Sequence, residues 1–96
     1  MDTEALRKAV IDVPERHRYE LAVGDAVAFV DYRLTDGVAT VPYTEVPPAL
    51  EGQGVGTALV LGTLDRLREQ GRKVAPRCGF FASVIRRHPE QGDLLA

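Results

Sequence analysis

Cysteine is nearly missing from this chain: Cys78 stands alone among 96 residues. A single cysteine excludes an internal disulfide framework and a cysteine-based zinc cluster, so no metal site is expected and a reducing cytoplasm is the expected compartment. Long apolar runs are missing too. None approaches the ~20 residues that span a bilayer. The start, Met1-Asp2-Thr3-Glu4, lacks the apolar segment of a signal peptide. No charge of one sign dominates. Twelve Lys and Arg against 14 Asp and Glu give a net charge of −2, mixed along the chain, without the concentrated basic surface that nucleic acid requires. Repeats, low-complexity segments and linkers are also missing. At this length the chain is expected to be one domain, 1–96, with one modest core.

What is present is well patterned. Residues 1–8 read as a short helix or a loose end, followed by a short strand from Ala9 to Val13 that Pro14 stops. Glu15-Arg16-His17 reads as a turn. Tyr19, Leu21 and Val23 alternate with Glu20 and Ala22, the signature of a half-buried strand. After the Gly24-Asp25 turn, the run Ala26 to Leu34 puts Ala28, Val30, Tyr32 and Leu34 on one face and Val27, Phe29, Asp31 and Arg33 on the other. Asp36-Gly37 is a stronger hairpin signal, because both residues tolerate positive φ. A strand from Val38 to Val46 follows. Pro42 within it has no N–H for the ladder, which predicts a bulge or a locally unpaired side.

Pro47-Pro48 ends this meander. A helix is expected from about Gly54 to Gln70, with Gly56, Val60, Leu64 and Leu67 on one stripe and Gly71 as its stop. A short strand from Arg72 to Ala75 ends at Pro76. Phe80 to Arg87 reads as helix, limited by Pro89, and Gln91 to Ala96 as weakly structured. The fold class is therefore α+β: an antiparallel N-terminal meander, then a β-α-β-α unit whose crossover makes a central parallel pair in a mixed sheet. An open edge of the meander leaves room for a weak homodimer beside the monomer.

Between meander and helix lies Pro47-Pro48-Ala49-Leu50-Glu51-Gly52-Gln53-Gly54-Val55-Gly56-Thr57-Ala58. Three alternate glycines lead into a helix whose first N–H groups have no intrahelical partner. With the positive end of the helix dipole, these make a seat for a pyrophosphate. The same residues also suit a plain tight turn. No Gly-Lys-Ser/Thr follows, so this is not a P-loop. The antiparallel approach does not suit a Rossmann site.

The stretch Glu51-Gly52-Gln53-Gly54-Val55-Gly56 resembles the Gln/Arg-x-x-Gly-x-Gly/Ala signature of the GNAT superfamily of acetyl-CoA-dependent N-acetyltransferases, with Glu51 in place of the usual first residue. Four more segments resemble its compact single-domain subfamily: Arg18-Tyr19-Glu20-Leu21, Thr44-Glu45-Val46-Pro47, Val74-Ala75-Pro76-Arg77-Cys78 and Arg87-His88-Pro89-Glu90. The resemblance runs from about Val10 to Leu94. It implies a GNAT-like mixed sheet with acetyl-CoA (coenzyme A) as cofactor. The backbone amides of Gln53, Gly54, Val55, Gly56 and Thr57 would hold the pyrophosphate, and the pantetheine arm would run past Glu45 and Val46. The acetyl group would enter a gap between the strands ending at Val46 and near Ala75, close to Cys78.

Three residues stand out for chemistry. Cys78 reads either as a small buried hydrophobe or as a thiol at a helix start, where its pKa falls. Glu45 is the main base for the proton of an incoming ammonium, or else an exposed strand carboxylate. Tyr43 stands where relatives commonly carry His and is a poorer base at neutral pH. Val84, Gln91 and Gly79 likewise depart from residues frequent in the subfamily. His88 reads as a helix-end contact, His17 as surface, and Arg86 and Arg87 as an exposed basic helix end. The function so implied is acetyl transfer to a primary amine on a small molecule, a lysine or an N-terminus, with the acceptor unspecified. The alternatives are a non-catalytic acyl-CoA-binding module and a protein-interaction domain without cofactor.

Overall fold

The computed structural model describes residues 2–96. Helix α1 (Thr3–Lys8) starts where the Asp2 carboxylate accepts from the Glu4 and Ala5 N–H groups, an N-cap that satisfies two otherwise orphaned donors. Then come strand β1 (Ile11–Val13), a 3-10 turn (Pro14–Arg16), β2 (Arg18–Val23), β3 (Ala26–Thr35) and β4 (Val38–Glu45). A 3-10 turn (Pro48–Leu50) leads to helix α2 (Val55–Glu69), strand β5 (Lys73–Pro76), helix α3 (Gly79–Arg87) and a 3-10 helix (Pro89–Leu94). The strands form one sheet in the order β1-β2-β3-β4-β5; the first three pairings are antiparallel and β4–β5 is parallel. This is the mixed α+β sheet expected from the alternation and the two hairpin signals.

The register of β4 has one consequential break. Val38, Ala39 and Thr40 face Thr35, Leu34 and Arg33, and Tyr43, Thr44 and Glu45 face Asp31, Val30 and Phe29, so two residues, Val41 and Pro42, oppose Tyr32 alone. Such a bulge follows from proline's missing N–H. In an unbroken strand Ala39, Val41, Tyr43 and Glu45 would share one face. The extra residue keeps Ala39 and Val41 in the core and sends Tyr43 and Glu45 to the opposite face with Phe29 and Asp31.

The core lies between the sheet and the helices. Tyr19, Leu21, Ala28, Val30, Ala39, Val41 and Val74 meet Leu59, Val60, Leu64 and Leu67 of α2 and Phe81 and Val84 of α3. Helix α2 is buried on more than the single stripe expected, because α1 packs on one flank and the C-terminal segment on another; Leu61, Gly62 and Thr63 are buried as well. Gly56, expected on the stripe, is only half-buried. Gly62 allows α1 to approach: a Cβ there would lie 2.5 Å from the Arg7 carbonyl oxygen and 2.4 Å from a Val10 methyl. Next to this contact, Arg7 grips Asp65 through two hydrogen bonds of 2.7 and 2.9 Å.

At the other end of α2, Gly71 takes φ +68° and stops the helix. A polar cluster then ties that end to the sheet. Asp12 accepts from the Tyr32 hydroxyl at 2.7 Å, from Gln70 at 2.8 Å and from Arg72 at 3.2 Å. Tyr19 donates to Gln70 at 2.6 Å.

Three expectations need correction. The first strand begins at Ile11, because Ala9 caps α1 in helical conformation. Leu34 is exposed, because β3 extends past the start of β2 and nothing there covers it. The tail 91–96 is ordered: Gln91 and Leu94 are buried, Leu95 bridges Val74, and the Ala96 N–H donates to the Val74 carbonyl at 2.9 Å. Arg68 fixes the tail with bonds of 2.6 and 3.0 Å to Asp93. A 3-10 segment held by one bridge has neither the helical nor the strand period, so the pattern does not reveal it.

Gly62→Ala is expected to destabilise the fold by about 1–3 kcal/mol through overpacking against main chain. Urea unfolding measures this; an unchanged midpoint would mean that α1 does not pack as described.

Candidate functional site

The site begins where the parallel ladder ends. β4 and β5 pair from Val38 with Lys73 to Val41 with Pro76. There the Val41 carbonyl oxygen accepts two N–H groups, from Arg77 and from Cys78, both at 2.9 Å. Beyond it, β4 continues to Glu45 while the other chain turns into α3. The two segments diverge, and the β4 edge past Val41 has no ladder partner on β5 among the described residues. This divergence is the expected gap, with its upper strand ending at Glu45 rather than Val46.

Two clefts open along that edge. One, of about 250 Å³, is lined by Val46, Leu50, Gly54, Gly56, Thr57 and Phe80 among others. The second, of about 400 Å³, is lined by Thr44, Glu45, Val46, Pro48, Glu51 and Phe80. Val46, Glu51 and Phe80 belong to both, so the clefts form one path from the glycine loop to the end of β4.

The glycine loop forms the first wall. Gly52 and Gly54 take φ of +76° and +80°, a region that costs an ordinary residue roughly 1–2 kcal/mol. Gly54 is the N-cap of α2, and no side chain caps that end. The first helical bond of this turn runs from the Ala58 N–H to the Gly54 carbonyl at 3.1 Å. The Gln53 side chain turns away and donates to the Ala49 carbonyl at 3.1 Å. The amides of Val55, Gly56 and Thr57 therefore remain available at the positive end of a 15-residue helix. Val55 itself is buried and anchors the turn, with Thr57 half-buried beside it.

Uncapped amides, left-handed glycines and an adjoining groove suit the diphosphate and pantetheine of coenzyme A. Glu51 is the one misfit, since it brings a carboxylate to the wall of both clefts. Phe80 limits the groove. A Cβ on Gly56 would lie 2.9 Å from the Phe80 ring and 3.4 Å from a Val46 methyl. The ring thus lies across α2 and the end of β4, although 41% of Phe80 is exposed.

Cys78 is the N-cap residue of α3 and is half-buried. Burial pushes its thiol pKa up. The Phe81 N–H, the Thr44 hydroxyl and the Phe80 N–H near the sulfur favour the thiolate, outweigh this and hold the pKa below the ordinary thiol value. The Thr44 hydroxyl is fully buried and meets no hydrogen-bond partner within ordinary bonding geometry among the described residues, which leaves it free to turn toward the nearby sulfur. Thr44 also lines the second cleft, which links Cys78 to it.

Glu45 and Tyr43 lie on the opposite sheet face, joined by a hydrogen bond from the Tyr43 hydroxyl to the Glu45 carboxylate. That bond raises the Tyr43 pKa above its ordinary value, so the phenol stays protonated at neutral pH and acts as a donor. His88 caps α3 and faces Glu90 at 3.4 Å, away from the residues lining either cleft. His17, Arg86 and Arg87 are exposed or at exposed ends. The structure thus brings Glu45, Val46, Gly54, Val55, Gly56 and Thr57 to one path and sets Cys78 beside it through Thr44. Thr44 and Phe80 escape the sequence reading, because their roles depend on neighbours far along the chain. The one signal available for Phe80 is a large aromatic at the exposed start of a helix.

Because the thiol pKa is depressed, alkylation of Cys78 by iodoacetamide is expected to rise with pH at lower pH than for a free thiol. Thr44→Val should shift that profile upward and Thr44→Ser should restore it. Coincident profiles for all three proteins would remove Thr44 from the thiol's surroundings.

A family model of the GCN5-related N-acetyl-transferases matches residues 18–94. The fold is similar to the NMR solution structure of a GCN5-like protein from Staphylococcus aureus, with a TM-score of 0.68 and 22% sequence identity over 94% of this chain and 89% of that one. None of the curated proteins matches in sequence. The matched span contains the meander, the glycine loop, both long helices and Cys78, and the chain belongs to the GCN5-related N-acetyltransferase family.

Proposed function

We propose that this acetyltransferase takes acetyl-CoA as donor and a primary amine as acceptor. The observation that carries the reading is the continuous path from the uncapped amides of 55–57 to the open edge of β4 at Glu45. The amides bind the diphosphate by charge and hydrogen bonding. The β4 edge past Val41 offers main-chain donors and acceptors to the amide-bearing pantetheine arm, as an added strand would use them. When bound, the donor supplies an activated acetyl thioester. Glu45 accepts the proton that an ammonium must lose before it can attack, and the Tyr43 hydroxyl orients that carboxylate. Transfer would then be direct: the amine nitrogen bonds to the carbonyl carbon, the carbon–sulfur bond breaks, and the departing coenzyme thiolate takes up the second proton that the nitrogen sheds, leaving as its thiol.

A second route is favoured by the depressed pKa of Cys78. Its thiolate would attack the thioester, release the coenzyme thiolate and hold the acetyl group until the amine takes it, regenerating the cysteine sulfur. Both routes need Glu45 for the acceptor's proton.

Gly56→Val sets a branched side chain against Phe80 and Val46 in the groove. It is expected to weaken coenzyme A binding at least tenfold by calorimetry; unchanged affinity would refute the cradle. Steady-state thiol release with a panel of amines tests the reaction. Turnover is expected with wild type, and Glu45→Gln should weaken or shift the ascending limb of its pH–rate profile. Coenzyme A binding without turnover on any amine, lysine peptide or protein extract would make the chain an acyl-CoA-binding module. Cys78→Ala chooses the route: a loss of about 100-fold or more marks the covalent one, and retained activity the direct one.

A further inference from the structure

A third groove, of about 600 Å³, adjoins the proposed reaction centre and has no part in the reading above. Its walls include Arg16, His17, Asp31, Arg33, Thr35 and Pro42. It reaches the reaction centre through two neighbours. Asp31 is the cross-strand partner of Tyr43, and Pro42 precedes Tyr43 in β4. Along β4, Tyr43 thus stands between Pro42, which lines this groove, and Thr44 and Glu45, which line the second cleft.

The charges along the groove are ordered. At the Tyr43 end the groove is lined by Asp31, and just beyond it Glu45 accepts from the Tyr43 hydroxyl. Two residues further along β3 stands Arg33, roughly 7 Å away by strand rise. Arg33 is exposed and makes no ion pair among the described residues. Arg16 adds a second cation to the lining, 3.3 Å from Glu20. Arg18, across from Asp31 in β2, is committed elsewhere: it binds Glu20 at 2.6 Å and stacks on Phe29 at 4.2 Å. One end of the groove thus attracts an ammonium and the other an oxyanion.

We infer that this groove is the acceptor subsite and that the acceptor is zwitterionic: a primary amine with a carboxylate or phosphate several bonds away, the amine at Tyr43 and Glu45 and the oxyanion at Arg33. The inference rests on the acetyltransferase reading and adds the acceptor's class to it. Arg33 sets specificity by charge and does not touch the reacting atoms.

The test compares kcat/KM for hexylamine, 6-aminohexanoate and 6-aminohexyl phosphate. The oxyanion-bearing amines are expected to exceed hexylamine by about three- to tenfold at low salt, the range of an exposed charge pair or two, and to lose the advantage at high salt. The better of the two names the oxyanion. Arg33→Gln should bring the ratio to about one, and Arg33→Lys should keep it above one. Equal kcat/KM for the three amines, or a ratio that survives Arg33→Gln, overturns the inference and leaves the acetyltransferase reading intact. If no amine turns over, the groove is still testable. Titration of the coenzyme A-loaded protein with 6-aminohexanoate should shift the backbone amide resonances of His17, Arg33 and Thr35 in wild type and not in Arg33→Gln. Unmoved resonances in wild type overturn it.

Discussion

The carbonyl oxygen of Val41 ends the parallel ladder and opens the site. It accepts both the Arg77 and the Cys78 N–H, so the incoming chain is held at one point and turns into α3 without continuing beside β4. The next residue, Pro42, cannot donate, and the bulge there changes which side chains of β4 face the helices. Two local facts, a doubly used acceptor and a missing donor, thus produce the gap, the position of Cys78 at the start of α3 and the outward aim of Tyr43 and Glu45. Each is a statement about where main-chain hydrogen bonds go, a question that every buried backbone group must answer.

The rest of the fold holds that arrangement still. Helix α2 must point its first turn at the gap, and it is fixed along its length: by Gly62 under α1, by Asp65 bound to Arg7, and by the Asp12–Tyr32–Gln70–Arg72 cluster past its C-terminus. The C-terminal segment closes the β5 side through Leu95 and Arg68. A small domain has little core to spare, and here nearly every flank of α2 is used. The glycine loop can leave its amides unpaired because its geometry is set by positive-φ glycines and by the buried Leu50 and Val55 on either side.

Much of this is legible in the sequence. Strict alternation over β2 and β3, with Gly24-Asp25 and Asp36-Gly37 between strands, specifies the meander, and the glycines followed by an apolar helix specify the loop. Pro42 announces an irregularity. Its consequence is not readable, because the parity of Tyr43 and Glu45 depends on which partner residue absorbs the extra position. The ordered tail escapes for lack of a period, and the deep burial of α2 escapes because its flanks are covered by segments remote in sequence. Thr44 belongs to a segment that resembles the family and Phe80 to none, but the role of neither is written there; their place beside Cys78 and across Gly56 exists only once β4 and α3 have diverged. The acidic Glu51 is plain in the sequence, and its place on the wall of both clefts is not.

The central claim is that the amides of residues 53–57, together with the open β4 edge, hold the coenzyme. Titration of isotope-labelled protein with coenzyme A, read at each backbone amide, tests it most directly. The account predicts that the largest shifts and the greatest gain in protection from hydrogen exchange fall on 53–57 and on 44–46. Saturable binding that leaves those amides unmoved and perturbs another surface would contradict it.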